Sequence, residues 1–296
     1  MDTPHRNAQR ANLIGALWMV LAMAAFAVED VAVKAAAQTL PVGQILTLFG
    51  VGGALVFAAL ARARNVALLS PDVWTRPMWV RAVFEVLGRL FYLLAITLTP
   101  LSSTTVILQA TPLVVVAGAA IFLGERVGPR RWLAIGCGLL GVLVILRPGG
   151  EGFSALSIFA VLGMLGFAGR DLASRAAPRS LGPLVLGFFG FVAVTVAGAL
   201  VSVWDGASYV WPDWRAALCV AGAVASGVLA YGALMTAMRT GDVAAVTPFR
   251  YSRLLFGVAF GVLLFDETLG LATVLGAMLI VLSGVFILWR GQSPAP

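Results

Sequence analysis

Residues 20–34 read VLAMAAFAVEDVAVK, and residues 161–175 read VLGMLGFAGRDLASR. Set one above the other at an offset of 141, the two stretches agree at seven of fifteen positions, and Lys34 faces Arg175. The spacing recurs further along. LTLFG at 46–50 resembles LGFFG at 186–190, and Leu123-Gly-Glu-Arg-Val-Gly128 matches Phe265-Asp-Glu-Thr-Leu-Gly270 at an offset of 142. A nearly constant offset at three places says that the chain is a duplication.

Each copy is made of membrane-spanning material. Of 296 residues, 60% are hydrophobic and 11% charged, with a mean hydropathy of +0.98. A soluble domain carries about 25% charged residues, so a soluble enzyme, a nucleic-acid binder and a disordered scaffold are all excluded. A spanning helix needs about 20 apolar residues. Proline, glycine and charge divide the chain into ten such stretches, at 13–36, 42–60, 79–98, 101–123, 131–147, 154–175, 183–203, 214–238, 243–265 and 269–289. The expected fold is an all-α integral membrane protein of ten transmembrane helices. A tail (1–12) precedes the first five-helix repeat (13–147), a connecting loop (148–153) leads to the second (154–290), and a tail follows (291–296). Because each repeat crosses an odd number of times, the second is expected to enter the membrane inverted, a plan associated with alternating-access transporters. Arg6, Arg10 and the run ending Ala25-Phe26-Ala27 also suit a cleaved signal peptide. Cleavage would leave the sixth span without its repeat partner, so the run is read as a span.

Charge sets the orientation. With the N-terminus inside, twelve arginines fall on cytoplasmic segments, against Lys34, Arg147 and Arg215 outside. That asymmetry is the positive-inside bias. It explains the net charge of +7 without nucleic acid, since the basic residues are scattered and form no stripe. Both termini are therefore expected on the cytoplasmic side of a bacterial inner membrane. Trp204, Tyr209, Trp211 and Trp214 read as an interfacial belt on the outer face. Cys137 and Cys219 lie in apolar runs, the one histidine is His5 in the tail, and no phosphate-binding GxxxxGK[ST] loop is present. No metal site, no cofactor and no ATP-driven or catalytic machinery are expected.

Five groups of charge inside the spans need an account, because an ionisable residue in hydrocarbon costs about 2.5–3.5 kcal/mol. Asp30 with Lys34, and Asp171 with Arg175, are acid-then-base pairs at i,i+4 in equivalent places, and the spacing predicts intrahelical structural ion pairs. Glu125 and Glu267 occupy the turns after the fourth and ninth spans, where a carboxylate can cap the amides of the next helix. Glu85 and Arg89 lie in the third span with no charged counterpart in the second repeat, which leaves a structural strut and a ligand site both open. Arg250 and Arg253 follow Pro248 in the ninth span, where proline frees a backbone carbonyl and a guanidinium can hold a carboxylate. Glu29 adjoins Asp30 with Arg170 as its repeat partner, and reads as a rim charge.

Taken together, the ten spans, the two Gly/Asp-Glu turns, Thr111-Pro112 and Phe91-Tyr-Leu-Leu-Ala-Ile-Thr-Leu-Thr-Pro-Leu-Ser-Ser103 resemble the EamA-type drug/metabolite transporter superfamily. Within it the chain looks most like YddG-type exporters of aromatic amino acids. One departure stands out: Leu254 lies opposite Pro112, so the family's second-half pocket does not carry over directly. The resemblance implies a secondary transporter exporting a small metabolite, an aromatic or other apolar amino acid, from a monomer in the bilayer. Such a substrate needs a cation, an acceptor and ring surface. The candidates are Arg250 or Arg253, then Glu85 with Arg89, then Tyr92, Tyr231, Phe249 and Tyr251, with an amide contact from Gln109. A multidrug carrier of the same fold, an intramembrane enzyme and a channel are the alternatives. The basic excess inside the spans disfavours cationic drugs, and no His-metal site supports an enzyme.

Overall fold

The computed structural model describes residues 3–290 except 123, 125–126, 147–154, 179 and 241–245. The described residues form eleven α-helices: α1 (Thr3–Ala36), α2 (Val42–Ala63), α3 (Arg76–Leu98), α4 (Leu101–Leu108), α5 (Thr111–Phe122), α6 (Pro129–Leu146), α7 (Ile158–Ala176), α8 (Pro183–Asp205), α9 (Trp214–Thr240), α10 (Ser252–Phe265) and α11 (Leu271–Arg290). A 3₁₀ segment, Thr247–Tyr251, leads into α10.

These helices supply the ten expected spans. Six stretches are long and apolar enough to cross a membrane by length and composition, with α4 and α5 counted as one of them. The remainder have physical reasons for falling short. In α3 the length suffices, but Arg81, Glu85 and Arg89 interrupt the apolar run. The apolar parts of α6 and α11 are short, at Trp132–Leu146 and Leu271–Phe286. By itself α10, with 14 residues, reaches about 21 Å, and the 3₁₀ segment ahead of it adds about 10 Å, together close to the 30 Å hydrocarbon core.

The fourth span is broken, which spacing alone did not predict. Pro112 has no N–H to offer the carbonyl of Leu108. The Thr111 hydroxyl donates to that carbonyl instead, and the chain turns at Gln109–Ala110 between α4 and α5. The ninth span is irregular at the matching point of the second repeat, through Pro248 near the start of its 3₁₀ segment.

Packing follows the duplication. The helix α1 lies on α9, α3 on α7, α2 on α8, α4 on α10 and α6 on α11. Exchanging the first five spans for the second five reproduces the same set of partners. Small residues allow the closest of these approaches. A Cβ built on Gly166 of α7 would run into the backbone of Gly88 on α3, one on Gly163 would meet the backbone of Tyr92, and one on Gly169 the ring of Phe84. The usual arrangement of polarity is reversed: large apolar side chains such as Leu55, Val203 and Leu263 face outward, while Glu29, Asp30, Arg81 and Glu85 are buried.

Candidate functional site

The buried charges form one network between the repeats, held mostly by contacts that sequence spacing does not show. Asp30 and Lys34 do not pair with each other. Asp30 Oδ2 accepts from Arg253 Nη2 of α10 at 2.7 Å and from the Tyr92 hydroxyl of α3 at 2.8 Å, and Arg253 also donates to Tyr92 at 3.1 Å. The expected local pair is replaced because α1, α3 and α10 converge there, and a desolvated carboxylate takes the guanidinium and hydroxyl aimed at it. Glu29 is not a rim charge. It is 2% exposed, and its Oε1 accepts from Arg89 Nη1 at 2.9 Å.

On α3, Arg81, Glu85 and Arg89 stand at i, i+4 and i+8 on one face. Glu85 is ringed by three guanidinia: Arg81 Nη2 and Arg170 Nη1 each at 3.3 Å, and Arg89 Nε at 3.8 Å. Glu85 is only 3% exposed, and its contacts in this conformation are those of the strut reading. Arg81 also donates to Ser174 Oγ at 3.1 Å and to the Leu186 carbonyl at 3.3 Å. Asp171 pairs with its neighbour Arg170, whose Nε and Nη2 both donate to Oδ1, at 2.9 and 2.8 Å. The expected partner Arg175 has its side chain outside the described residues.

Rings line this network. Arg170 stacks over Phe167 at 4.8 Å, Arg253 over Phe26 at 5.0 Å, and Tyr92 meets Phe167 edge-on at 5.7 Å. Tyr231 packs edge-on against Phe57 at 5.5 Å and stands within electrostatic reach of Arg81, Glu85, Arg170 and Asp171. Two ring candidates lie elsewhere. Tyr251 is buried with its hydroxyl directed at Gly284 of α11, and Phe249 is exposed. The break in the fourth span reaches the ninth through Gln109, whose Nε2 donates to the Arg250 carbonyl at 3.2 Å.

At one end of the bundle the two repeats are joined by Glu267. Helix α4 begins after Pro100, which offers no side-chain cap. The exposed amides of Leu101 and Ser102 instead donate to Glu267 at 2.6 and 2.9 Å. This acid therefore caps a helix of the other repeat and not the next helix of its own, as its position had suggested. Lys34 pairs with it at 3.3 Å while donating to the Thr99 carbonyl at 2.8 Å. Burial raises the Glu267 carboxyl, but the Ser102 and Leu101 amides and Lys34 outweigh it and hold the group below its ordinary value. Its repeat counterpart Glu125 lies outside the described residues. Arg81 and Ser174 were missed as network members, although Arg81 is readable as the residue four before Glu85.

The shallow grooves along α8, lined by Val196, Leu200, Val203 and Trp204 among others, are apolar and open outward from the bundle. The charge network is separate from them. The model of the EamA-like transporter family matches residues 13–147 and again 155–289. This chain belongs to the EamA-like transporter family. It is 31% identical to the pseudopaline exporter CntI of Pseudomonas aeruginosa over 91% of this chain and 94% of that one. A riboflavin transporter of Rhizobium johnstonii is 26% identical, over 93% and 91% of the two chains. An S-adenosylmethionine uptake transporter of Rickettsia conorii is 25% identical, over 71% and 70%. None of these three is named for aromatic amino acids, so the narrower likeness to those exporters is not supported by them. A solved crystal structure superposes with a TM-score of 0.61 at 24% identity, covering 94% of this chain and 97% of its own, and speaks to the fold alone. The chain is thus a multi-helix membrane transporter of small metabolites.

Proposed function

We propose that the chain is a secondary transporter that exports a small, carboxylate-bearing metabolite of amino-acid type across the inner membrane by alternating access. One observation carries the reading: the network holds five arginines (81, 89, 170, 250 and 253) against four acids (Glu29, Asp30, Glu85 and Asp171). Four of the arginines grip an acid directly. Among the described residues Arg250 has only electrostatic reach to Asp171, which Arg170 already holds. A half-buried cation without an ion pair of its own carries part of the cost of an unpaired charge, and an incoming carboxylate in bidentate contact would remove that cost.

Arg250 is accordingly the carboxylate anchor. Asp171, whose side chain is 25% exposed beside an Arg170 that is 22% exposed, is the acceptor for a substrate amine, replacing Glu85. Tyr231 supplies ring surface and Gln109 an amide. Arg89, Arg253 and Tyr92 position the network and do not touch the substrate.

The paired packing of the halves, with five crossings in each, supports an inverted repeat about an axis in the membrane plane. With both termini inside, Lys34, Leu101 and Glu267 all fall at the outer end, so this conformation is closed outside. The exposure of Arg170 and Asp171 then marks the inward-open side. Transport in either direction suits this geometry, and the riboflavin and S-adenosylmethionine relatives make uptake the second reading. The test is proteoliposome counterflow with a panel of labelled amino and carboxylic acids. Flux of at least one, abolished by Arg250→Gln with folded yield retained, is the expected result. Equal flux in the variant overturns the site.

A further inference from the structure

We propose that Glu29 is the proton-binding site that couples this transporter to a pH gradient, with Arg89 as the switch that admits the proton. The inference rests on the transporter reading. Glu29 is buried, Arg89 holds its Oε1 at 2.9 Å, and its Oε2 has no hydrogen-bond partner. That second oxygen faces the Phe49 ring of α2 and the Cα of Gly227 on α9, where an added Cβ would touch it. A carboxylate oxygen against apolar surface is tolerated only while a cation balances the charge elsewhere on the group. When the cation leaves, a proton from water bonds to a carboxylate oxygen and the group becomes neutral.

The cation has somewhere to go. Arg89 Nε is itself buried without a hydrogen-bond partner and stands 3.8 Å from Glu85 Oε1. A rotamer change that closes this gap gives Glu85 a full contact and releases Glu29. Of the other charges nearby, Arg253 reaches Glu29 electrostatically and makes no direct contact with it. On α1, Asp30 is committed to Arg253 of α10 and Tyr92 of α3. Arg250 on the 3₁₀ segment interacts with Asp171, and Tyr231 of α9 with the Glu85–Arg170 end of the network. Glu85 keeps its contacts to Arg81 and Arg170 whether or not Arg89 joins them. Arg89 on Glu29 and a proton on Glu29 are thus exclusive, and the choice is made at the centre of the bundle where α1, α2, α3 and α9 meet.

Two measurements on the full-length protein test this. In proteoliposomes with one proton per cycle, a gradient of about one pH unit changes the accumulation ratio about tenfold. The wild type should show this dependence, and Glu29→Gln should lose it while retaining counterflow. Flux indifferent to the gradient in the wild type, or a gradient response kept by Glu29→Gln, overturns the proposal. The second measurement needs neither substrate nor variant. A hydrophobic carbodiimide adds to carboxyls that are protonated in apolar surroundings. Mass spectrometry should find adduct on Glu29 growing as pH is lowered, with Glu85 unmodified. Adduct absent from Glu29, or independent of pH, overturns the proposal even if Glu29→Gln does not fold. Failure of counterflow in the wild type, by contrast, tells against the substrate reading and leaves the labelling result standing.

Discussion

Glu267→Gln isolates the clasp that joins the two repeats at one end of the bundle. The native carboxylate accepts two amide hydrogen bonds at 2.6 and 2.9 Å from α4 and an ion pair at 3.3 Å from Lys34, all across the repeat boundary. The amide variant keeps one acceptor and turns an NH₂ toward the second backbone N–H. It loses the charge assistance, the attraction to the helix N-terminus and the pair with Lys34. Hydrogen bonds to a charged group contribute about 1.5–3 kcal/mol, the dipole about 0.3–1 kcal/mol, and a part-exposed ion pair under about 1 kcal/mol. With one neutral hydrogen bond retained, a net loss of about 2 kcal/mol is a reasonable central figure. Those contacts exist only while α4 lies against the α10–α11 turn, so their loss moves the equilibrium toward opening at that end by about thirtyfold. The readout is alkylation of Ser102→Cys by an impermeant thiol reagent, in a chain also carrying Cys137→Ala and Cys219→Ala. Ser102 is buried at this contact, so its labelling rate should rise at least tenfold in the Glu267→Gln background. An unchanged rate in a protein that melts as the parent does would refute the clasp. The pH dependence has a defined sign. The carboxyl sits below its ordinary value of 4.5, so its contribution is complete above that value and is lost only as pH falls through the lower, folded-state value. Near-neutral pH should leave the labelling rate of the parent flat.

Arg253→Gln should lower folded yield and melting temperature, because it strands Asp30 and Tyr92 in the interior, at a cost of about 3–5 kcal/mol. Arg250→Gln, with no carboxylate to strand, should leave both intact in the same thermal assay. Gly166→Ala should destabilise by about 1–3 kcal/mol through forced separation of α7 from α3, read as a lower unfolding midpoint in detergent. A thiol at Ser208 should react with an impermeant reagent in intact cells and one at Ser180 should not. The opposite pattern reverses the orientation.

Much of the fold was legible because membrane spans declare themselves by composition and the duplication by a constant offset. The break at Gln109–Ala110 was half visible: Thr111-Pro112 marked the place, but the Thr111 hydroxyl that replaces the lost amide could not be read from it. The charged residues were legible as a set and not as pairs. The i,i+4 rule sees only one helix, and it misassigned Asp30 because Arg253, the stronger partner, is 223 residues away in sequence. Glu29 was misplaced for the same reason. Nothing in its neighbourhood along the chain indicates that Arg89 on α3 reaches it.

The separation of Asp30 from Arg253 also bears on biogenesis. At synthesis rates of about 5–20 residues per second, α1 enters the membrane some tens of seconds before the ninth span exists. During that interval Asp30 has no Arg253, α4 has no cap from Glu267, and α1, α2 and α3 lack the helices they finally pack against. The newly inserted first half therefore carries a buried-type carboxylate and an uncapped helix start until the second half arrives. Expression of residues 1–147 alone should yield a protease-sensitive product, and co-expression of the two halves as separate chains should rescue it.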